Sequence, residues 1–191
     1  MINVYYTIIN KMSTINKINN LSQSEFIIIF DNIFEKSRWI AKKLYDQKPF
    51  NDFEDLCLKM LDIFENASKE NQLKIINSHP DLASKIKISS LTSDSQKEQS
   101  NAGLNHCSEE EFNEFKDLND KYKKKFGFPF ILAVKGKNKL EILNNFRQRI
   151  SYDINVEFNE AKKQVKKIAN LRLNEINKKW KKFFLKMEWL T

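Results

Sequence analysis

His79 is one of two histidines in the chain and has a constrained backbone, because Pro80 follows it directly. The residue before a proline disfavours the α region, so His79 is predicted to lie at a corner where a helix passes into a loop. An imidazole ordinarily titrates near pH ~6.5, which suits it to proton transfer at neutral pH. A histidine at such a corner can also be purely structural, and its own sequence context leaves both interpretations open.

A group of polar side chains shares one face of a helix predicted over about residues 93–105. Its members, at offsets that repeat with the helical period, are Ser95, Glu98, Gln99 and Ala102. One interpretation is a solvated face on which Ser95 and Glu98 form a capping box. The other is a carboxylate and an amide that point into a cavity, where they would hydrogen-bond to a polar heterocycle.

Arg172 interrupts an apolar stripe on the long helix predicted over residues 154–187. The apolar residues of that stripe are Val165, Ile168 and Ile176. An unpaired charge is costly in such surroundings, so Arg172 is expected to meet either a carboxylate or an anionic ligand. The sequence leaves two alternatives open: a structural salt bridge with Glu157 or Glu98, or a role in a binding site.

The stretch around residues 128–134 differs from the rest of the chain, since it is apolar and rich in β-formers. Gly127 comes directly before it, and Pro129 lies within it. It is predicted to be a short extended, buried segment. Buried backbone N–H groups need partners, and these could be a ligand or a neighbouring loop. Spacing alone does not choose between the two.

The elements that must position these residues are predicted to be helices. Three glycines and three prolines are too few for a sandwich or barrel of many short strands, and no glycine-rich phosphate loop occurs. We therefore predict an all-α, single-domain helical bundle with one extended segment near 128–134. One continuous helix is predicted from Phe26 through Leu44, before Pro49 breaks the pattern. Further helices are predicted to begin at about residue 51 and at residue 108, and to span 68–78, 93–105, 138–151 and 154–187.

The ends of the chain and its cysteines carry few signals. Residues 1–20 are predicted to be a poorly ordered N-terminal extension without the features of a signal peptide, ahead of a domain over 21–187. The chain has no apolar run of about 20 residues, so no membrane span is expected. Cys57 and Cys107 form neither a disulfide framework nor a zinc motif, so we expect no metal site and a cytoplasmic location.

The net charge of +8 is concentrated at one end of the chain. Residues 162–191 contain nine lysines and one arginine against two glutamates, so the rest of the chain sums to zero. This basic helix could contact phosphates, which makes a helical nucleic-acid-binding or assembly module the alternative function. A solvated lysine face is the simpler explanation, and no nucleic-acid-binding motif accompanies the charge, so we do not expect a nucleic-acid partner.

Several gapped motifs in order resemble the OHCU decarboxylase family over about residues 21–177. They are Phe34-Glu35-x-Ser37-x-Trp39, Ser78-His79-Pro80-Asp81-Leu82, Leu91-Thr92-x-x-Ser95-x-x-Glu98-Gln99-x-x-Ala102-Gly103-Leu104, Asn119-x-x-Tyr122, Lys125-Phe126-Gly127-Phe128-Pro129-Phe130-Ile131, Arg149 with Glu157 and Ala161, and Ile168-x-x-x-Arg172-Leu173. The chain departs from the family pattern in its N-terminal residues, at Ser84 where glycine is common, and in its lysine-rich end.

The resemblance implies an all-helical, cofactor-free and usually homodimeric enzyme of urate degradation. The reaction it implies is the conversion of 2-oxo-4-hydroxy-4-carboxy-5-ureidoimidazoline (OHCU) to (S)-allantoin and CO2. A relative acting on another ureido-carboxylate is the enzyme alternative. By the same resemblance the catalytic residues are His79, Glu98 and Arg172, and the substrate-binding residues are Pro80, Ser95, Gln99, Phe130, Ile131, Leu132, Ala133 and Val134. We assign proton donation to His79, the substrate hydroxyl to Glu98, and polar ring atoms to Arg172 and Gln99.

Overall fold

The computed structural model describes residues 14–83 and 92–188, with side chains described as far as residue 182. Within these ranges the regular elements are all helical, which confirms the predicted all-α fold. The α-helices are α1 (Thr14–Asn19), α2 (Gln23–Phe30), α3 (Arg38–Tyr45), α4 (Phe53–Glu65), α5 (Lys69–Ser78), α6 (Ser93–Asn101), α7 (Glu109–Phe126), α8 (Lys139–Arg149) and α9 (Ile154–Glu188), and a short 3₁₀ helix spans Leu104–His106. Residues 1–13 of the predicted extension and Ser84 lie outside the described residues.

Side-chain caps set where most of these helices begin. Ser108 accepts a hydrogen bond from the Glu111 backbone N–H while the Glu111 carboxylate accepts one from the Ser108 N–H, which is the capping box that the sequence predicts. Asp52 and Ser68 cap α4 and α5 through a side-chain oxygen that accepts from the backbone N–H three residues later, close to the predicted starts. The helix starts were predictable because a cap and its partner are three residues apart.

The described chain forms two compact units, where the sequence predicts a single bundle. Of the described residues, the first unit contains 14–67 and 169–188, and the second contains 68–83 and 92–168. The long helix α9 contributes its beginning to the second unit and its later part to the first. Each unit has its own aromatic core.

In the first unit, the predicted continuous helix from Phe26 to Leu44 is interrupted between α2 and α3. The intervening residues 31–37 form turns and bends, and Lys36 has a positive φ of 49°. In this loop the consecutive residues Phe34 and Glu35 are both about 1% exposed. The irregular backbone lets Glu35 turn inward beside an apolar core residue and present its carboxylate to a distant arginine.

The end of the predicted N-terminal extension belongs to the folded chain. Ile18 of α1 is fully buried, and the side chain of Asn19 donates to the Phe50 carbonyl at 2.8 Å and accepts from the Phe50 N–H at 2.9 Å. This two-point contact ties α1 to the loop before α4. The ordered chain therefore begins before residue 21, the predicted domain start.

The cysteines are free thiols, as expected from their spacing. Burial raises the pKa of Cys57 to about 12, with the charges of Glu54 and Asp52 adding to the effect, so this thiol stays protonated at neutral pH. No group of three potential metal ligands occurs in the described parts of the chain. Nor is any described helix long and apolar enough to cross a membrane.

The second unit is built around stacked and edge-to-face aromatic rings. Phe130 stacks on Phe146 with ring centroids 3.9 Å apart, and Tyr122 meets both rings edge-on at 5.3 and 5.6 Å. Phe130 opens the segment 130–134, which is buried and has no regular secondary structure. The predicted buried segment is confirmed, and it lies between α7 and α8 along the chain.

Candidate active site

His79 lies at the corner that the sequence predicts. It is the C-cap of α5, with φ −73° and ψ 140°, and its N–H donates to the Ile76 carbonyl at 3.1 Å. The extended ψ is the conformation that Pro80 requires of its predecessor. The side chain is buried, so the helix end and the proline together place an imidazole inside the second unit.

The orientation of the His79 ring follows from one contact. Its Nδ1 lies 2.9 Å from the Ile75 carbonyl oxygen. A carbonyl oxygen can only accept, so Nδ1 carries the hydrogen, and Nε2 is the nitrogen at which the proton is gained or lost. The ring is thereby oriented for proton exchange at a defined atom.

The polar face predicted on the next helix is present, but the predicted cap is wrong. Thr92 is the N-cap of α6, and its Oγ1 accepts from the Ser95 N–H at 3.3 Å. Ser95 therefore lies in the first turn, with its side chain buried, and does not cap the helix. Ser95, Glu98 and Gln99 share the face that lines a pocket.

This pocket lies wholly within the second unit and encloses about 340 Å³, part of it open to solvent. Its walls bring together most of the predicted site residues, namely His79, Pro80, Ser95, Glu98, Gln99, Phe130, Ile131, Leu132 and Val134. Two further lining residues, Leu82 and Ile168, were not predicted.

Arg172 belongs to the first unit, so its predicted place beside the catalytic groups stays a prediction. It is 5% exposed, and one guanidinium nitrogen (Nη1) contacts Glu35 Oε2 at 3.1 Å and the Asn32 carbonyl at 3.0 Å. The predicted need for a carboxylate is thus met by Glu35. Of the two partners considered from the sequence, Glu157 is instead engaged by Arg149.

Gln99 holds the loop that follows His79. Its Oε1 accepts from the Ala83 N–H at 3.0 Å, and its Nε2 donates to the Asp81 carbonyl at 3.2 Å. Ala83 has a φ of 56°, which is uncommon for a residue other than glycine. The assignment of Gln99 to polar ring atoms stays a prediction, and the structure adds that both ends of its amide hold this turn.

Two residues of α7 also hold the same turn. Asn119 donates from Nδ2 to the Leu82 carbonyl at 3.0 Å, and Lys123 forms an ion pair with Asp81 at 2.8 Å. Sequence reasoning noted Asn119 only as part of a family motif and gave it no role. Its partner lies 37 residues away, so no local pattern could reveal the contact.

Segment 130–134 is held by two helices that follow it in the sequence. Arg149 of α8 donates to the Ile131 carbonyl at 2.8 Å, and Gln164 of α9 accepts from the Ala133 N–H at 3.0 Å. The N–H of Ala133 is thus bound by protein, and Ala133 is not among the residues that line the pocket. Of the two alternatives left open for the N–H groups of this segment, a protein partner is found for Ala133, and the assignment of Ala133 to substrate binding stays a prediction.

A buried ionic network lies behind the segment. Arg149 contacts Glu157 through two nitrogens, with Nε 3.1 Å from Oε2, while the Tyr122 hydroxyl donates to the same carboxylate. The Arg149 guanidinium also lies over the Phe130 ring, 4.5 Å from its centroid. Burial and the contact with Glu157 raise the pKa of Tyr122, so the tyrosine stays a neutral donor.

Comparison with known proteins decides which family this arrangement represents. The family described as OHCU decarboxylase matches residues 19–174. The chain belongs to the OHCU decarboxylase family. This confirms the sequence resemblance.

Relatives of this OHCU decarboxylase family member occur in bacteria and archaea. The chain is 43% identical over 165 residues to the uric acid degradation bifunctional protein of a Bacillus species, covering 86% of this chain but only 32% of that protein. It is 34% identical to the 2-oxo-4-hydroxy-4-carboxy-5-ureidoimidazoline decarboxylase of Halalkalicoccus jeotgali, covering 85% of this chain and 91% of the relative. The chain thus spans about a third of the bifunctional protein.

Two solved structures share the fold. A crystal structure of OHCU decarboxylase in the presence of (S)-allantoin matches with a TM-score of 0.62 and 25% identity, covering 80% of this chain and 96% of that one. A crystal structure of (S)-allantoin synthase matches with a TM-score of 0.70 and 26% identity, covering 86% of this chain and 54% of that one.

In this OHCU decarboxylase family member, Gln99→Met is expected to lower kcat/KM by about 10- to 100-fold. Methionine fills the same space but leaves the Ala83 N–H and the Asp81 carbonyl without their amide partner, so the turn beside His79 can move. Steady-state kinetics measures the loss. Lys123→Met is the control, because it removes only a partly exposed ion pair to the same turn and should cost little. Equal, small effects of the two changes would contradict the role of Gln99.

Proposed function

We propose that this chain catalyses the cofactor-independent decarboxylation of OHCU to (S)-allantoin in urate degradation. The observation that carries the proposal is the pocket of the second unit, which is lined by a buried His79 and by the carboxylate-bearing Glu98. Family membership and the names of the relatives support the same reaction.

The substrate itself explains why side chains suffice for this chemistry. Its carboxylate leaves from a carbon that bears a hydroxyl and adjoins an imine. When the carbon–carboxylate bond breaks as CO2, its electron pair moves toward the imine. The imine nitrogen takes up one proton with that electron pair. A second proton must reach the ureido-bearing carbon, and the hydroxyl must lose its proton as the ring carbonyl forms, so the reaction takes up one proton overall. The protein has to orient these groups and deliver a proton to one face.

The pocket supplies groups for both proton movements. His79, oriented through Nδ1 by the Ile75 carbonyl, exchanges a proton through Nε2 and is assigned to donation at the ureido-bearing carbon. Glu98 is assigned to holding the substrate hydroxyl, since a carboxylate accepts from an O–H. Gln99 keeps the turn at residues 81–83 in place and has a second amide hydrogen and a second lone pair for a ring atom.

The remaining substrate contacts are assigned to one guanidinium and to the backbone. Arg172 is assigned to polar ring atoms, with Glu35 as the partner that holds its guanidinium. From the segment 130–134 we assign the contact to Leu132, whose N–H has no protein partner within the described residues and which lines the pocket. We also propose a homodimer in a reducing cytoplasm, an environment suited to the free thiols Cys57 and Cys107.

The proposed reaction is tested by following enzymatically generated OHCU by ultraviolet absorbance and circular dichroism. The uncatalysed reaction passes through a planar carbon that water protonates on either face, so it yields racemic allantoin. We expect the chain to accelerate the decay and to give optically active (S)-allantoin. Unchanged decay and racemic product would overturn the proposal.

Two other outcomes of this test are informative. Turnover of a different ureido-carboxylate without turnover of OHCU would support the alternative enzyme. Steeply salt-dependent retention on DNA or RNA, without turnover, would support the binding module formed by the basic residues 162–191.

A further inference from the structure

The wall of the pocket formed by segment 130–134 has no regular hydrogen-bonded neighbour, so side chains must hold it. Two of its backbone groups are bound by protein: the Ile131 carbonyl by Arg149, and the Ala133 N–H by Gln164. Ala133 is 2% exposed, and a buried N–H without an acceptor is costly. Gln164 therefore supplies a partner that the segment needs.

The amide of Gln164 is itself held in one orientation. Its Nε2 donates to Glu160 Oε1 at 2.8 Å, one turn earlier on α9. Because the carboxylate can only accept, the amide nitrogen faces Glu160 and the oxygen faces Ala133. Glu160 thus fixes the orientation of the Gln164 amide, whose Oε1 is the acceptor for segment 130–134.

The bound groups belong to alternate residues, 131 and 133. A trans peptide unit is planar, with its C=O and N–H pointing in opposite directions. Arg149 therefore fixes the unit that contains the Leu132 N–H, and Gln164 fixes the unit that contains the Leu132 carbonyl. Leu132 lies between the two bound residues and lines the pocket. Holding its neighbours therefore determines the direction of the Leu132 N–H.

We propose that Gln164 is a positioning residue for the reaction: by binding the Ala133 N–H it holds the peptide unit after Leu132, while Arg149 holds the unit before it, and together they keep the Leu132 N–H directed at the substrate. This inference rests on the proposed function. Gln164 lines no part of the pocket itself, so it acts through the backbone. Its spacing of four residues before the pocket residue Ile168 places it on the same face of α9.

The test compares Gln164→Met with Gln148→Met. Methionine keeps the length of the side chain but offers Ala133 no comparable acceptor, while Gln148 is an exposed glutamine of α8 that receives the same change. We expect Gln164→Met to lower kcat/KM for OHCU at least tenfold and to weaken binding of (S)-allantoin, with a Tm only a few degrees below that of Gln148→Met, because the Ala133 N–H loses its acceptor. Amide exchange of Ala133, followed by NMR, should become faster only in Gln164→Met.

A swapped pair provides the rescue. Glu160→Gln combined with Gln164→Glu keeps an acceptor at 164, held by an amide at 160, and should restore kcat/KM to within about threefold of the unmodified chain. Gln164→Glu without the second change places a carboxylate against the like charge of Glu160 and should remain impaired. Should Gln164→Met fail to fold, Gln164→Asn tests the same contact with a side chain too short to reach.

The outcomes separate this inference from the proposed function. A Gln164→Met variant that turns over OHCU as fast as Gln148→Met would overturn the positioning role alone. A loss of activity that the swapped pair does not rescue would also overturn it. An unmodified chain that neither accelerates OHCU decay nor binds (S)-allantoin would overturn the proposed function as well.

Discussion

Replacing His79 with asparagine is expected to remove nearly all of the rate acceleration while leaving the fold intact. An asparagine amide can donate to the Ile75 carbonyl in place of the imidazole Nδ1–H, and Pro80 still constrains the backbone. It cannot gain or lose a proton near neutral pH. Loss of a general acid typically costs about 10²–10⁴-fold in rate, and we expect kcat to fall within that range.

The experiment combines kinetics with a fold check. Decay of OHCU followed by circular dichroism gives kcat and KM, and thermal unfolding shows whether the variant is folded. His106→Asn is the matched control, because His106 is the other histidine and is exposed in the 3₁₀ helix. A His79→Asn variant with activity within a fewfold of the unmodified chain would refute the assigned role.

Arg172→Met is expected to have the second large effect, on both catalysis and stability. If the guanidinium stabilises charge in the transition state, its loss should lower kcat/KM by about 10²–10³-fold. Breaking a buried ion pair from one side typically costs about 3–5 kcal/mol, and Glu35 is 1% exposed. Chemical denaturation and steady-state kinetics measure the two effects separately.

Glu35→Gln distinguishes the two roles of Arg172. This variant removes the carboxylate from the pair and keeps the guanidinium. A purely structural Arg172 predicts similar, small losses of activity in both variants at a temperature where both are folded. A substrate-binding Arg172 predicts a large loss only in Arg172→Met. An unchanged kcat/KM in folded Arg172→Met would count against the catalytic assignment.

The helix starts and the His79 corner were predictable because their causes are local. A cap acts over three residues, as between Ser108 and Glu111, and a proline constrains the residue next to it. The interruption between α2 and α3 was not predictable in this way. The apolar period continues through residues 33 and 34, and only the packed chain favours a bend that also buries Glu35.

The residues of the candidate site also divide into those that local sequence predicts and those that only folding brings together. Residue types and spacing identified His79 and the α6 face, and these do line one pocket. They did not reveal that Gln99 binds the backbone of Ala83 and Asp81, which lie 16 and 18 residues earlier. Nor did they reveal that Gln164 binds the Ala133 N–H, 31 residues earlier. Such contacts follow no periodicity, since they depend on which elements meet after folding.

By itself, the sequence determined an all-α member of this family and the chemical groups available to it, because short-range backbone preferences and side-chain identity are set residue by residue. The tertiary structure alone decided which of those groups are committed to the protein. Arg172 forms an ion pair with Glu35, 137 residues away in the sequence, and Arg149 forms one with Glu157. A buried charge pairs with whichever opposite charge the packed chain brings within reach, and chain order does not specify that choice.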